Sequence, residues 1–222
     1  CTGMFANTDG RRHCIKDSVG YFGGRRENKM INKLHMAMIG LYHGDAKRTQ
    51  HFCKVHSYAK LIAEMENVDA KTLFILETAA LTHDIGIHLC EEKYGNCNGK
   101  LQEKEGPAIA EKLLAELGFS GEVSERVQYL IAHHHTYNNI DGIDYQILVE
   151  ADFLVNMCED ELSEEALQNT YQNIFRTETG LFFAPNFLSL QRCPAGQRPE
   201  GRHNTRILSK TRKNGRKEIH HV

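Results

Sequence analysis

The sequence has 222 residues and a mass of 25.3 kDa, with 41% apolar and 25% charged residues, which is typical of a soluble globular chain. No run approaches the roughly 20 apolar residues of a membrane span, and the first residues lack a signal-peptide stretch, so we expect neither a membrane nor a secreted protein. The net charge of −2 hides an acidic middle, with 12 Lys and Arg against 24 acids in residues 30–190, which argues against a nucleic-acid clamp.

The N-terminal 29 residues contain glycines and charges but no apolar period, so we predict a tail at 1–29, or a fragment begun mid-chain. From Met30 onward, apolar residues recur at helical spacing and predict a first helix at 30–43. Asp45 is placed to cap a second helix that runs to about residue 66. Residues 70–84 are almost continuously apolar, which predicts a helix at the centre of the fold.

Residues 87–104 combine Gly, Asn and charges and predict a loop. Four further helices are predicted at 106–117, 121–134, 143–158 and 163–176, the last with Ser163 as its cap. Beyond Pro185 the apolar period is lost, and we predict an irregular basic tail at 181–222, with nine Lys and Arg against two acids in residues 191–222. The expected fold class is therefore all-α, a compact helical bundle at 30–180 with irregular basic tails. For these tails, unlike the acidic middle, contact with nucleic acid stays an open alternative.

The seven cysteines are an odd number, and none of their spacings forms a C-x-x-C pair. This pattern favours reduced thiols over a disulfide framework or a cysteine zinc site. We therefore predict a cytoplasmic protein.

One pair of polar residues stands at the end of the most apolar predicted helix, His83 followed by Asp84. Burying such a pair is costly, and a divalent cation is one remedy. His51 lies in the preceding helix, and Asp152 lies inside the apolar run ILVEADFLVN. Each residue alone is more often structural, but together they place two imidazoles and two carboxylates on separate helices of one bundle.

The order H…HD…H…D on a helical body resembles the HD-domain superfamily of metal-dependent phosphohydrolases. Across about residues 30–178, the matching motifs are QHFCKVHSYAKLIA, ALTHDIGIH, IAHHHTYNNIDG and ILVEADFLVN. The resemblance implies that one divalent metal is ligated by His51, His83, Asp84 and Asp152. A mixed nitrogen and oxygen donor set suits Mn, Fe, Ni, Co or Zn, and a five- or six-coordinate ion would leave room for water and a phosphate oxygen.

Whether the site binds a second metal is left open. Binuclear relatives use later histidines, and at most one or two of His133, His134 and His135 can face one site, because successive helical residues point about 100 degrees apart. The other expected histidine position holds Gln102, for which Glu103 or Glu105 is a candidate substitute.

The candidate catalytic residues are Asp84, His88 and His134. His88 follows the position where relatives with H-D-I-G-K carry a lysine. It is either a functional residue, as a phosphate contact or a proton donor, or a polar loop residue. Lys54 either meets substrate or pairs with an acid. Glu77 and Glu150 either orient a ligating imidazole or form structural hydrogen bonds.

The resemblance thus implies hydrolysis of a phosphate ester, on a nucleotide or a small phosphorylated metabolite, by a metal-activated water. Two alternatives are a non-catalytic nucleotide-sensing module and a di-iron oxygenase of the same fold, against which Gln102 argues. The expected partner is a phosphorylated small molecule. The oligomeric state is open, with a homodimer as the commonest arrangement.

Overall fold

The computed structural model describes residues 18–159 and 162–188. These residues form nine helices and no strand, which confirms the predicted all-α class. In chain order the helices are α1 (Ser18–Leu41), α2 (Ala46–Met65), α3 (Ala70–Thr82), α4 (Ile87–Tyr94), α5 (Gly99–Leu117), α6 (Gly121–His133), α7 (Ile143–Glu159), α8 (Glu164–Ile174) and α9 (Glu178–Leu188).

Helix α3 lies at the centre of the bundle, as its composition predicts. It packs against α1, α2, α6 and α7, and every residue from Phe74 to Thr82 is buried. The segment Ala70–Tyr94 is long and apolar enough to pass a test for a membrane span, but 67% of its apolar window is buried inside the bundle, as expected of a core helix. The two residues that follow this central helix, His83 and Asp84, therefore lie beside the core.

Local capping explains where several helices begin and end. The side chains of Asp45 and Ser163 accept hydrogen bonds from the first-turn amides of α2 and α8, as the sequence predicts. Gly118 closes α5 with a φ of 82°, a conformation that glycine adopts without a steric penalty. The four cysteines of the described residues, Cys53, Cys90, Cys97 and Cys158, are all free thiols.

Helix α1 begins earlier than predicted. It starts at Ser18, so residues 18–29, which we predicted as part of a tail, continue the helix of residues 30–41. Most of residues 25–29 are exposed, whereas Ile31, Leu34 and Met38 are buried. An apolar period reports burial rather than helicity, so the exposed turns of α1 leave no such signal. The domain limits of 30–180 stay a prediction.

The predicted loop at 87–104 is wrong. Residues 87–94 form helix α4, and α5 starts at Gly99, so only residues 95–98 connect them. Helix α4 buries only Ile87 and Cys90, which is too few positions to produce a recognisable period. Gly95 ends α4 with a φ of 69°, and the Asn98 side chain caps α5 by accepting from the Leu101 amide at 3.1 Å.

The predicted irregular tail at 181–222 is wrong at its beginning, because residues 178–188 form helix α9. Pro185 lies inside this helix and cannot donate an amide to the carbonyl of Leu181, four residues earlier. The hydroxyl of Tyr171 donates to that carbonyl at 3.1 Å instead, so the proline costs the helix less than expected. The prediction for residues 189–222 lies outside the described residues.

Candidate metal centre

The fold brings the four predicted metal ligands together. His51 comes from α2, His83 and Asp84 from the turn after α3, and Asp152 from α7. The Nε2 atom of His51 lies 3.2 Å from Asp152 Oδ1, 3.3 Å from His83 Nε2 and 3.5 Å from Asp84 Oδ2. Helices α2, α3 and α7 all pack against one another, which is why residues up to 101 positions apart meet here.

Backbone carbonyls hold two of the imidazoles in one orientation. The Nδ1 atom of His83 lies 2.9 Å from the carbonyl oxygen of Ala80, and that of His134 lies 2.6 Å from the carbonyl oxygen of Ile131. A carbonyl only accepts, so each Nδ1 carries a proton, and it is Nε2 that faces the cluster, with a free lone pair whenever the ring is neutral. This is the tautomer that a metal-ligating imidazole requires.

Two observations show that imidazole lone pairs in the cluster have no hydrogen-bond donor to pair with in the described part of the chain. The Nε2 atoms of His51 and His83 face each other at 3.3 Å, and in two neutral rings of this tautomer both would be acceptors. The Nε2 atom of His134 is buried, and it makes no hydrogen bond within the described residues. Because buried polar atoms are almost always satisfied, these lone pairs fit a divalent metal.

The electrostatics of the cluster agree with this interpretation. Burial by itself lowers the pKa of His83, but the neighbouring Asp84 and Asp152 outweigh it and hold that pKa well above the usual value. Burial likewise raises the pKa of Asp84, but His83 and His134 outweigh it and hold the pKa well below the usual range. The carboxylates are therefore ionised and attract positive charge, which protons or a metal ion can supply.

A second donor group shares Asp84. Donor atoms of Asp84, His134 and His135 all lie within 4.8 Å of one another. The remaining histidine of the run, His133, faces elsewhere, since its ring stacks on Tyr129 at a centroid distance of 4.2 Å. Two of the three consecutive histidines thus face the site, within the limit that helical geometry predicts.

The position expected to hold a further histidine contains Gln102, whose Oε1 atom lies 3.3 Å from His135 Nε2. Neither candidate substitute belongs to the second donor group. Glu103 accepts from the backbone amide of His135 at 3.1 Å, and Glu105 accepts from the hydroxyl of Tyr94 at 2.6 Å. Both carboxylates are thus bound by other groups.

Of the predicted catalytic residues, Asp84 and His134 lie in the cluster, with His134 Nε2 3.5 Å from Asp84 Oδ1. His88 does not contact these donors, because its Nε2 lies 3.3 Å from Asp45 Oδ2 and its ring packs on Tyr42. The Tyr42 hydroxyl in turn donates to the backbone carbonyl of Asp84 at 2.7 Å, so His88 is linked to the site through one aromatic ring.

The carboxylate that supports His51, one of the predicted ligands, is Glu159, which the sequence analysis missed. Its Oε2 lies 3.1 Å from His51 Nδ1, and its Oε1 accepts from Lys54 at 2.9 Å, so Lys54 pairs with an acid, as one alternative predicted. Glu159 follows Asp152 by seven residues, two turns of α7, and this spacing was the available signal.

Glu77 and Glu150 do not orient a ligand. Glu77 accepts from His56 and Lys60, both at 3.0 Å. Glu150 accepts from the backbone amides that precede α9, at 2.6 Å from Arg176 and 2.9 Å from Thr177. Both therefore form structural hydrogen bonds, the alternative that we also gave for them.

Comparison with known proteins identifies the family. The chain matches the family model of the HD domain over residues 48–170. It is similar to the crystal structure of a predicted HD superfamily hydrolase from an uncultured Thermotogales bacterium, with 26% identity and a TM-score of 0.51 over 73% of this chain and 84% of that one. It also resembles YpgQ from Bacillus subtilis, with 19% identity and a TM-score of 0.44 over 78% of this chain and 72% of that one.

No curated protein matches the chain. The match covers more than half of the sequence and includes all four predicted ligands, so the chain belongs to the HD domain family.

Proposed function

We propose that this protein is a metal-dependent hydrolase that cleaves a phosphate ester of a nucleotide or a small phosphorylated metabolite. The observation that carries the proposal is the meeting of three imidazole Nε2 atoms with the carboxylates of Asp84 and Asp152. The similar Thermotogales structure is described as a predicted HD superfamily hydrolase, which supports the same kind of activity for this chain.

The donor set fits a transition metal better than Mg²⁺ or Ca²⁺, because two of its four ligands are imidazole nitrogens. His51, His83, Asp84 and Asp152 would hold the ion, with His134 on the far side of Asp84. When bound, a divalent ion supplies a Lewis acid that lowers the pKa of water and neutralises charge on phosphoryl oxygens.

The exposure of the four ligands indicates the side from which a substrate approaches. The side chains of His83 and Asp152 are 1% and 5% exposed, whereas that of Asp84 is 21% exposed. Solvent therefore reaches the cluster on the side where Asp84 lies. Lys54 and His88 are more exposed, at 47% and 41%, and each pairs with a carboxylate, Lys54 with Glu159 and His88 with Asp45.

The test is phosphate release by protein purified without chelator, measured on a panel of nucleotides and sugar phosphates. Asp84→Ala is expected to lose the bound metal and to reduce release at least about 100-fold, because loss of a ligand removes the Lewis acid. His133→Gln is the matched control, since His133 neighbours the cluster but faces Tyr129, and it should retain both. Full activity of Asp84→Ala would exclude the proposal.

The second donor group of Asp84, His134 and His135 favours one alternative, a di-iron oxygenase. Metal analysis separates the candidates. One ion per chain with phosphate release supports the hydrolase, two irons without release support the oxygenase, and bound metal with neither activity supports a nucleotide-sensing module. A cytoplasmic compartment and a homodimer remain parts of the proposal.

A further inference from the structure

A pocket lies far from the metal centre, between the N-terminal half of α1 and the C-terminal end of α5. Its volume is about 310 Å³, and it is lined by Arg26, Lys29, Met30, Lys33, Leu117 and Gly118. Along α5, Gly118 is 16 residues from Gln102, which corresponds to about 24 Å at 1.5 Å per residue. The pocket is therefore a separate place on the molecule, and an inference about it does not depend on the proposed activity.

The three cations of the pocket stand on one face of α1. Positions 26, 29 and 33 are separated by three and four residues, which places them one above another on a helix. All three residues are exposed. Like charges at this spacing repel one another, so the arrangement disfavours the helix slightly unless an anion lies between them.

These cations differ from most others on this acidic molecule. Eight of the twelve Lys and Arg in residues 30–190 form ion pairs with carboxylates: Arg48, Lys54, Lys60, Lys71, Lys93, Lys100, Lys104 and Arg126. Within the part of the chain that the structure describes, Arg26, Lys29 and Lys33 form none. Glu27 and Glu116 neighbour the lining residues in sequence, but neither lines the pocket.

The end of α5 does not account for three positive charges. Its last turn carries a partial charge of only about −0.5 from the helix dipole. Three full positive charges line the pocket and no carboxylate does, so the pocket attracts anions. Three cations on one helix face suit an anion that carries more than one negative charge.

The size of the pocket limits the ligand to a small molecule. A volume of about 310 Å³ is at the lower end of the range for small-molecule sites. Met30 and Leu117 supply apolar surface beside the cations. We propose that this pocket binds the phosphate groups of a small diphosphate or triphosphate, away from the metal centre.

Inorganic triphosphate is the probe, titrated calorimetrically into the full chain at about 0.15 M salt, where long-range attraction to the basic ends is screened. Lys29→Gln/Lys33→Gln is expected to weaken binding at least tenfold. Lys71→Gln/Lys112→Gln removes the same charge outside the pocket and should bind like the unchanged protein. Arg26→Gln provides a single substitution with the same expected direction, should the double variant fold poorly.

Asp84→Ala separates this pocket from the metal centre. The pocket proposal predicts that Asp84→Ala still binds triphosphate and that the affinity again falls when the two pocket lysines are replaced. Three results would overturn it: no binding by the unchanged protein, equal weakening by the pocket and control variants, or complete loss of binding in Asp84→Ala. Failure of phosphate release alone would leave the pocket proposal intact, and failure of the pocket would leave the proposed hydrolase intact.

Discussion

At the scale of single residues, the cluster depends on groups that hold the donors as much as on the donors themselves. Carbonyl oxygens of Ala80 and Ile131 fix the rings of His83 and His134, and a carboxylate, Glu159, supports His51. Such outer partners set the tautomer and the direction of a ligating imidazole. Their removal should change metal affinity without changing the ligands.

Glu159→Gln is expected to weaken metal binding by about 10- to 100-fold, because His51 loses the carboxylate that orients it. The measurement is the metal Kd from competition with a chelator of known affinity. Glu91→Gln is the control, since Glu91 is also an ion-paired carboxylate but pairs with Arg48. An unchanged Kd in Glu159→Gln, with native helical content, would remove Glu159 from the metal centre.

A second residue, Glu77, predicts how stability depends on pH. Burial alone raises the pKa of Glu77, but hydrogen bonds from His56 and Lys60 outweigh it and lower that pKa below its ordinary value of 4.5. A lowered folded-state pKa gives stability that is complete above the unfolded pKa and is lost as pH falls through the folded pKa.

Glu77→Gln should therefore reduce the free energy of unfolding by about 1.5–3 kcal/mol at pH 7, the range for hydrogen bonds to a charged group. The difference between the two proteins should shrink as the pH falls below about 4.5. Urea unfolding at a series of pH values measures it. A difference that stays constant down to the lowest pH at which both fold would contradict the assigned ion pairs.

At the scale of elements, α9 is held by carboxylates from distant helices. Glu150 accepts from the amides of Arg176 and Thr177, and Glu66 accepts from the amide of Thr179 at 2.7 Å. A helix start leaves free amides and carries partial positive charge, so carboxylates stabilise it. Glycine at position 180 leaves room for Glu150, because a Cβ atom there would overlap its carboxylate.

Gly180→Ala is expected to lower the free energy of unfolding by about 1–3 kcal/mol, since the added methyl group displaces a buried, fully bonded carboxylate. Chemical denaturation provides the value. Gly40→Ala is the matched control in α1, where an added Cβ has nothing within 4 Å. The control should be neutral or more stable by up to about 1 kcal/mol, the helix-propensity difference between the two residues. Equal effects would show that Glu150 does not constrain position 180.

At the scale of the whole molecule, the metal centre joins helices that are distant in sequence. Its candidate ligands come from α2, from the turn after α3 and from α7, three helices that pack against one another. A ligand that binds only the folded state adds stability according to its concentration and affinity. Metal removal should therefore lower the stability of the folded bundle as well as stop the proposed hydrolysis.

Chelation is expected to lower the midpoint of thermal unfolding by several degrees. A metal at 100 times its Kd contributes about 2.7 kcal/mol, and each kcal/mol corresponds to about 2–4 °C in a domain of this size. Thermal melts with and without a chelator measure the shift. Asp84→Ala should show no such shift, because it binds no metal. A chelator effect of the same size in that variant would indicate that the added stability comes from another site.

The sequence by itself determined the helical class and the central helix, because both depend on local spacing. It indicated the four candidate ligands only through motifs that resemble those of the HD-domain superfamily. An apolar period identifies α3, and short motifs mark His51, His83, Asp84 and Asp152. The sequence did not predict the first turns of α1, the two-turn α4 or α9. Few residues of α4 are buried at regular intervals, and the start of α9 is capped by residues from other parts of the chain. Only the tertiary structure placed Glu159 against His51, turned His134 and His135 toward the cluster, and left three cations of α1 around one pocket. These contacts join residues far apart in the chain, and local periodicity contains no information about which distant side chains will meet.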